Sequence, residues 1–358
     1  MTEPIRFGIV GTGWRAAFFL RVAQARPDLF KVTGVVGRSF EKAGALAERF
    51  GSLAFPDWRT LVKRTKPEFV VSSVTWAAAP EIMGELVRAK IPVLSETPPA
   101  PTTEALLELW RALGSSAPVQ VAEQYAFQPH HAARLSFVFS GKLGPISQVQ
   151  VSVAHGYHGV NLLRRFLGVG FEAAQLTGKR FRSSVVGGAN RSGPPADEVV
   201  KDVDQDIVWF DYGGKLGLID FTSEQYFSYI RDQRLLVRGE RGELFNDSAV
   251  YLKDHVTPVR VDFRRHEGGA GGNLEGKFLK GIQAGEDWLY RNVFAPAPLP
   301  DDDIAVATCL MLMGDYVQTG QPFYSLADAC QDTYLSFLMG TAASEGSARA
   351  ERQVWAGG

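Results

Sequence analysis

The sequence predicts a doubly wound α/β Rossmann domain over residues 1–122, then an α+β domain over residues 123–358 with a large, mostly antiparallel sheet. Three observations carry that prediction. A glycine turn, Gly11-Thr12-Gly13, ends an N-terminal apolar run; apolar runs alternate with helix-period segments as far as Glu123; beyond it apolar residues recur at every second position. A length of 358 residues also favours two domains over one.

In order, "IRFGIV" (Ile5 to Val10) reads as a buried parallel strand, and "AAFFLRVAQA" (Ala16 to Ala25) as a helix. "KVTGVV" is a second strand, and "FEKAGALAERFG" a helix stopped by Gly51. Helix "DWRTLVKRT", strand "FVVSSV", helix "PEIMGELVRAK", strand "IPVLSE", helix "TEALLELWRALG" and strand "PVQVAE" follow. Right-handed crossovers bring the carboxyl ends of such strands to one edge, so "GTGWRA", "GRS", "VTW", "SETPP" and "EQYAF" share a rim. Past Glu123, "ISQVQVSV", "VDQDIVWFDY", "KLGLIDFTS", "RLLVRG" and "AVYLKD" read as strands. "GVNLLRRFLG", "DIAVATCLMLMGDYVQ" and "LADACQDTYLSFLMGTAASEG" read as helices, and the glycine-rich Arg264–Gly276 as a surface loop.

Composition narrows the partners. Thirty-eight Lys and Arg against 39 Asp and Glu leave no basic excess for nucleic acid. The apolar run "IAVATCLMLM" falls short of the ~20 residues a membrane span requires. No signal-peptide pattern is expected in "MTEPIRFGIVG", and two cysteines in helical sequence read as buried thiols, so the expected location is cytoplasmic. His130 and His131 are neighbours on a helix and do not share a face, so no metal site is expected.

The first strand–turn–helix has the context of a dinucleotide fingerprint. Gly11 permits the tight turn, Gly13 lets the backbone approach a pyrophosphate, and Thr12, Trp14 and Arg15 complete the loop, with Ala16 at the third glycine position. Where the second strand would end in an acid for the ribose hydroxyls stand Gly37, Arg38 and Ser39. Arg38 and Ser39 suit a 2′-phosphate, which favours NADP over NAD. Thr75, Trp76 and Glu96, on the same rim, join the expected cofactor groove.

With "GIVGTGWRA", "SETPPA", "GKLGPISQVQVS", "HGYHGVNLLRRFLG" and "RGERGELF", the chain resembles the Gfo/Idh/MocA family of NAD(P)-dependent oxidoreductases. The resemblance implies a dehydrogenase acting on a sugar, inositol or related polyol, and a homodimer or homotetramer formed through the second-domain sheet. It also exposes departures. The family's usual Glu-Lys-Pro is Glu96-Thr97-Pro98, the Asp expected four residues before His158 is Ala154, and the acid often found three residues after it is Asn161. His158 is therefore the expected acid/base, with Tyr157, Tyr125 and Thr97 as the other catalytic candidates. Gln124 is expected near both nicotinamide and substrate, and His155 and Asn161 join Gln124, Tyr125 and His158 around the substrate. The alternative is a catalytically impaired nucleotide- and sugar-binding regulatory protein.

Overall fold

The computed structural model describes residues 3–269 and 271–357. The first region runs β1 (Ile5–Val10), α1 (Ala16–Ala25), β2 (Phe30–Val36), α2 (Phe40–Arg49), β3 (Ala54–Phe55), α3 (Trp58–Thr65), β4 (Phe69–Ser72), α4 (Ala79–Arg88), β5 (Val93–Ser95), α5 (Thr103–Leu113) and β6 (Val119–Val121). The second runs α6 (Pro129–Phe139), β7 (Ile146–Ser152), α7 (Gly156–Leu167), β8 (Ala174–Val186), β9 (Val200–Asp211), β10 (Leu216–Phe221), β11 (Arg234–Gly239), β12 (Gly242–Phe245), β13 (Ser248–Leu252), β14 (Pro258–Gly268), β15 (Phe278–Ala284), β16 (Asp287–Arg291), α8 (Asp301–Thr319), α9 (Leu326–Glu345) and β17 (Ser347–Ala350).

The helices start where the side chains let them. Ser39, Asp57 and Thr102 each accept a backbone N–H from three residues on, capping α2, α3 and α5. The six strands of the first sheet are parallel in the order β3-β2-β1-β4-β5-β6. That order reverses between β1 and β4, which opens a crevice at the strands' carboxyl ends. The second sheet has eleven strands, in the order β16-β15-β14-β13-β12-β11-β7-β10-β9-β8-β17, and only β7 with β10 pairs in parallel. The expected fold class is the observed one.

Alternation along β1 divides the core. Phe7 and Ile9 face a cluster with Phe19 of α1 and Ile304, Leu310 and Met313 of α8. Val10 faces the other cluster, which continues into the second sheet through Val149, Val151 and Val237 and is roofed by Leu162 of α7 and Leu335 of α9. Helix α8 thus returns from late in the chain to cover the first sheet.

Two local expectations change. Arg264–Gly276 is not one loop, because β14 continues to Gly268, paired with β15 as far as Phe278; Ala270 within it lies outside the described residues. β8 was not expected as a strand, since its alternation is masked by charge. Its Arg180 and Arg182 pair across to Asp206 and Asp204 of β9, and Ser184 bonds Asp202.

Candidate functional site

The loops after β1, β2, β4, β5 and β6 form one wall of a cleft of ≈ 1790 Å³, and the start of α7 forms the opposite wall. A pocket for one small ligand is typically ~300–1,000 Å³, so this space suits a dinucleotide with a second molecule beside it.

Gly11 has φ +127°, and a Cβ there would stand 1.9 Å from the Ser73 carbonyl oxygen, so the first turn admits only glycine. A Cβ on Gly13 would meet nothing within 4 Å; the space over that backbone is open. Thr12, Trp14, Arg15, Arg38, Ser39, Thr75 and Trp76 all line the same cleft. Arg38 is exposed, and Ser39 Oγ accepts the Lys42 N–H while keeping its own proton to donate. Trp14 lies under the Arg191 guanidinium at 4.5 Å, so a residue of the second region reaches over the nucleotide loop.

At the end of β5, Glu96 is held by Arg15, with Nε and NH2 at 3.1 and 3.0 Å. Two expected cofactor contacts therefore engage each other. Thr97 lines the cleft beside them, and its peptide bond to Pro98 is cis. Gln124 is buried, and its Oε1 has no hydrogen-bond partner within the protein. A buried acceptor in a cleft calls for a donor from a bound molecule, and an amide or hydroxyl group serves. The open backbone at Gly13 and the orphaned Gln124 oxygen fit a nicotinamide dinucleotide lying across the switch point.

His158, from the first turn of α7, is 7% exposed and lines the cleft. Its Nδ1 donates to Oε2 of Glu123 at 2.6 Å, while Glu123 Oε1 accepts the Tyr125 backbone N–H at 3.1 Å. Glu123 was missed as a functional residue. Its only signal in the sequence is an acid at the end of an apolar strand, and its partner lies 35 residues away. With Nδ1 committed, Nε2 is the ring nitrogen left for a substrate.

Tyr125 stacks on His158 with ring centroids 4.4 Å apart, and Tyr157 covers it at the same distance. Burial pushes both phenols up: Tyr226 beside it pushes Tyr125 further, and the Thr97 hydroxyl holds Tyr157 back in part. Neither is a neutral-pH base; both are hydroxyl donors. His155 reaches solvent and bonds Tyr226, a second residue the sequence did not single out.

Asn161 does not join the site. It lies three positions along α7 from His158, which turns it by about 60° around the helix, and its Nδ2 donates to Asp332 of α9 at 2.8 Å. His131 is wholly buried, with its pKa pushed well down by that burial, and His130 bonds Asp301. Among the described residues no group of three or more His, Cys, Asp or Glu could hold a metal ion, and no helix is long and apolar enough to cross a membrane. Cys309 and Cys330 are both free and buried.

A parallel sheet of order 3-2-1-4-5-6, with its glycine loop at the switch point and a mostly antiparallel sheet behind the cleft, defines a Rossmann-type nucleotide-binding protein. Residues 5–123 match the Gfo/Idh/MocA family model, described as "Oxidoreductase family, NAD-binding Rossmann fold". The chain is 29% identical over 150 residues to inositol 2-dehydrogenase from Rubrobacter xylanophilus, an alignment covering 40% of this chain and 42% of that relative. It therefore spans less than half the length of that curated relative. Two solved structures share the fold. A myo-inositol dehydrogenase from Corynebacterium glutamicum superposes with TM-score 0.66 at 20% identity, covering 98% of this chain and 100% of the other. Levoglucosan dehydrogenase, in complex with NADH and levoglucosan, superposes with TM-score 0.68 at 15% identity, again over 98% and 100%.

Proposed function

We propose that this protein oxidises or reduces a sugar, polyol or related molecule at a CH–OH carbon, with His158 as the general acid/base and a preference for NADP(H) over NAD(H). The Glu123–His158 hydrogen bond of 2.6 Å, aimed into the cleft beside the nucleotide loop, carries this reading. A bound nicotinamide dinucleotide would supply the hydride acceptor or donor. In oxidation His158 Nε2 takes the hydroxyl proton while Glu123 holds the ring and balances the imidazolium charge; in reduction the same nitrogen returns it. Thr97, Tyr157, Tyr125 and Gln124 orient the reacting oxygen. Glu123 thereby answers the absence of the family's lysine and aspartate, since an acid behind the histidine serves in place of an acid before it. The inositol and anhydrosugar dehydrogenases named among its relatives support the substrate class. Arg38 at the end of β2, where an acid would repel a 2′-phosphate, supports NADP. We also assign the nucleotide to residues 1–122 and the substrate and assembly surfaces to residues 123–358, with α8 returning to brace the first part.

The test measures NADPH and NADH binding by titration calorimetry, then nicotinamide absorbance with myo-inositol, levoglucosan and a panel of sugars. Turnover that falls about 10²–10⁴-fold in His158→Ala is expected. Tight nucleotide binding with no turnover on the panel, or turnover indifferent to His158→Ala, sinks the assignment.

A further inference from the structure

We propose that Tyr125, Tyr226 and His155 form a hydroxyl relay that carries protons between the cleft and a second, smaller cavity on the far side of His155. The inference rests on the dehydrogenase reading above, because that reaction frees or consumes one proton per turnover.

The hydrogen bonds supply the partners of the relay, and the relay assigns their direction. The Tyr226 oxygen accepts the His155 backbone N–H at 3.2 Å and the Tyr125 hydroxyl at 3.5 Å. A phenol oxygen has two acceptor positions and one proton. With Tyr125 as the donor to Tyr226 both acceptor positions are filled, and the relay then directs the Tyr226 proton to its remaining neighbour, His155 Nδ1, at 2.6 Å. Nδ1 is therefore an acceptor, and the ring carries its proton on Nε2. Proton order along the chain is Tyr125 O–H to Tyr226 O–H to His155 Nδ1.

One end lies in the cleft, and the other is a residue shared with a second cavity. Tyr125 and Tyr226 line the large cleft, with Tyr125 stacked on His158. His155 lines both that cleft and a neighbouring cavity of ≈ 180 Å³, which Arg180, Asp204 and Asp206 of the second sheet also line. His155 is the only ionisable residue common to the two, among those that line them.

The transfer balances without ionising a phenol. The proton that His158 Nε2 takes from substrate passes through cleft water to the Tyr125 oxygen as the Tyr125 proton passes to Tyr226 and the Tyr226 proton passes to His155 Nδ1. The resulting imidazolium releases its Nε2 proton to water, and exchange of the ring protons with water together with rotation of both hydroxyls restores the Nε2–H form before the next turnover. Reduction runs the same steps backwards. Concerted transfer is required, because burial pushes both phenols up and phenolates are disfavoured. The 3.5 Å step must shorten by about 0.7 Å to reach the usual hydroxyl spacing, a tightening common once a substrate fills a site.

The groups facing His155 support its role as a carrier. Burial first, then His158 at a ring distance of 5.1 Å, holds its pKa down at about 4, while Glu123 acts the other way. Tyr157 stands edge-on at 5.9 Å, and Asp204, Asp206 and Arg180 share its outer cavity. The ring is thus neutral at rest and sheds a proton quickly once loaded.

Two experiments on the full chain decide the matter. The first needs no turnover: ¹⁵N NMR of histidine-labelled protein near neutral pH. His155 is expected neutral with its proton on Nε2, and Tyr226→Phe is expected to shift that tautomer balance. A His155 protonated on Nδ1, or a cationic His155 at neutral pH, overturns the relay whether or not the protein is a dehydrogenase. The second follows proton release with a pH-indicator dye during oxidation of myo-inositol, or of another sugar that turns over. His155→Ala and Tyr226→Phe are expected to slow release at least tenfold in dilute buffer, with imidazole restoring the rate of His155→Ala alone. Release rates unchanged in both variants, or slowed without rescue by imidazole, also overturn it. Absence of turnover in the wild type counts against the dehydrogenase reading and leaves the relay to the NMR result.

Discussion

In the proposed reaction, Glu123 is the residue on which the chemistry turns. Its carboxylate is buried at the end of β6 and spends one oxygen on the Tyr125 backbone and the other on His158. Glu123→Gln keeps the size but can present an amide N–H to Nδ1, which selects the wrong ring tautomer. kcat is expected to fall by about 10²-fold or more with KM little changed, as steady-state kinetics would report; a fall in KM's favour alone would point to a packing role. At the nucleotide end, Arg38→Asp is expected to lower NADPH affinity by at least tenfold and leave NADH binding equal or tighter, since a carboxylate there repels a 2′-phosphate and accepts ribose hydroxyls. Calorimetry on the two nucleotides separates these outcomes. Both residues are visible in the sequence, but only Arg38 announces itself there. An acid ending an apolar strand has no meaning until the fold brings His158 within 2.6 Å.

Among the elements, the β1–α1 turn separates structural need from functional need within three residues. Gly11→Ala puts a methyl 1.9 Å from the Ser73 carbonyl at a φ that L-residues avoid. It is expected to lower the melting temperature by several degrees as well as abolish nucleotide binding, the backbone and steric penalties adding. Gly13→Ala meets no protein atom, so its stability is expected within about 0.5 kcal/mol of wild type while nucleotide affinity falls, because the methyl occupies the approach to the pyrophosphate. Equal melting shifts for the two variants would contradict this division. Helix α7 makes the same point by rotation: His158 faces the cleft, whereas Asn161 turns to Asp332. The sequence showed both as polar residues on one helix. Which face met the cleft awaited the packing of α9.

Across the whole molecule, the first turn of α8 ties the two regions together. Asp303 pairs with Arg21 of α1, Asp302 accepts from Gln128, and Asp301 is held by Arg265 of β14 and by His130. Burial pushes the Asp301 carboxyl up, but His130 and Arg265 outweigh it and bring its pKa down to about 2. A depressed carboxylate stabilises the fold above the unfolded-state value near ~4 and loses that contribution as pH falls toward about 2. Melting temperature should therefore drop across that window, and Asp301→Asn should flatten the drop while starting lower. Behind the site, Arg164 of α7 and Asp332 of α9 are buried together, with Tyr324 and Asn161 also on the carboxylate. Arg164→Met leaves a buried charge and is expected to cost ~3–5 kcal/mol, whereas Arg164→Met with Asp332→Leu recovers most of it. Urea unfolding of the single and double variants would show it.

Local pattern sufficed for much of this. The parallel sheet, the glycine loop on its rim and the switch to antiparallel strands after Glu123 follow from hydrophobic period and turn residues, which act over a few positions. Gly11, Arg38, Gln124 and Tyr125 were legible for the same reason: strand ends fall on one edge of a doubly wound sheet; His158 was legible through the family resemblance. Glu123 against His158, Tyr226 against His155, Arg191 over Trp14 and the return of α8 to the first sheet were not. Each joins residues far apart in the chain, and no local propensity carries the register of two sheets or the rotation of a helix between them. Those are set when apolar faces close on one another and the buried polar groups must find partners.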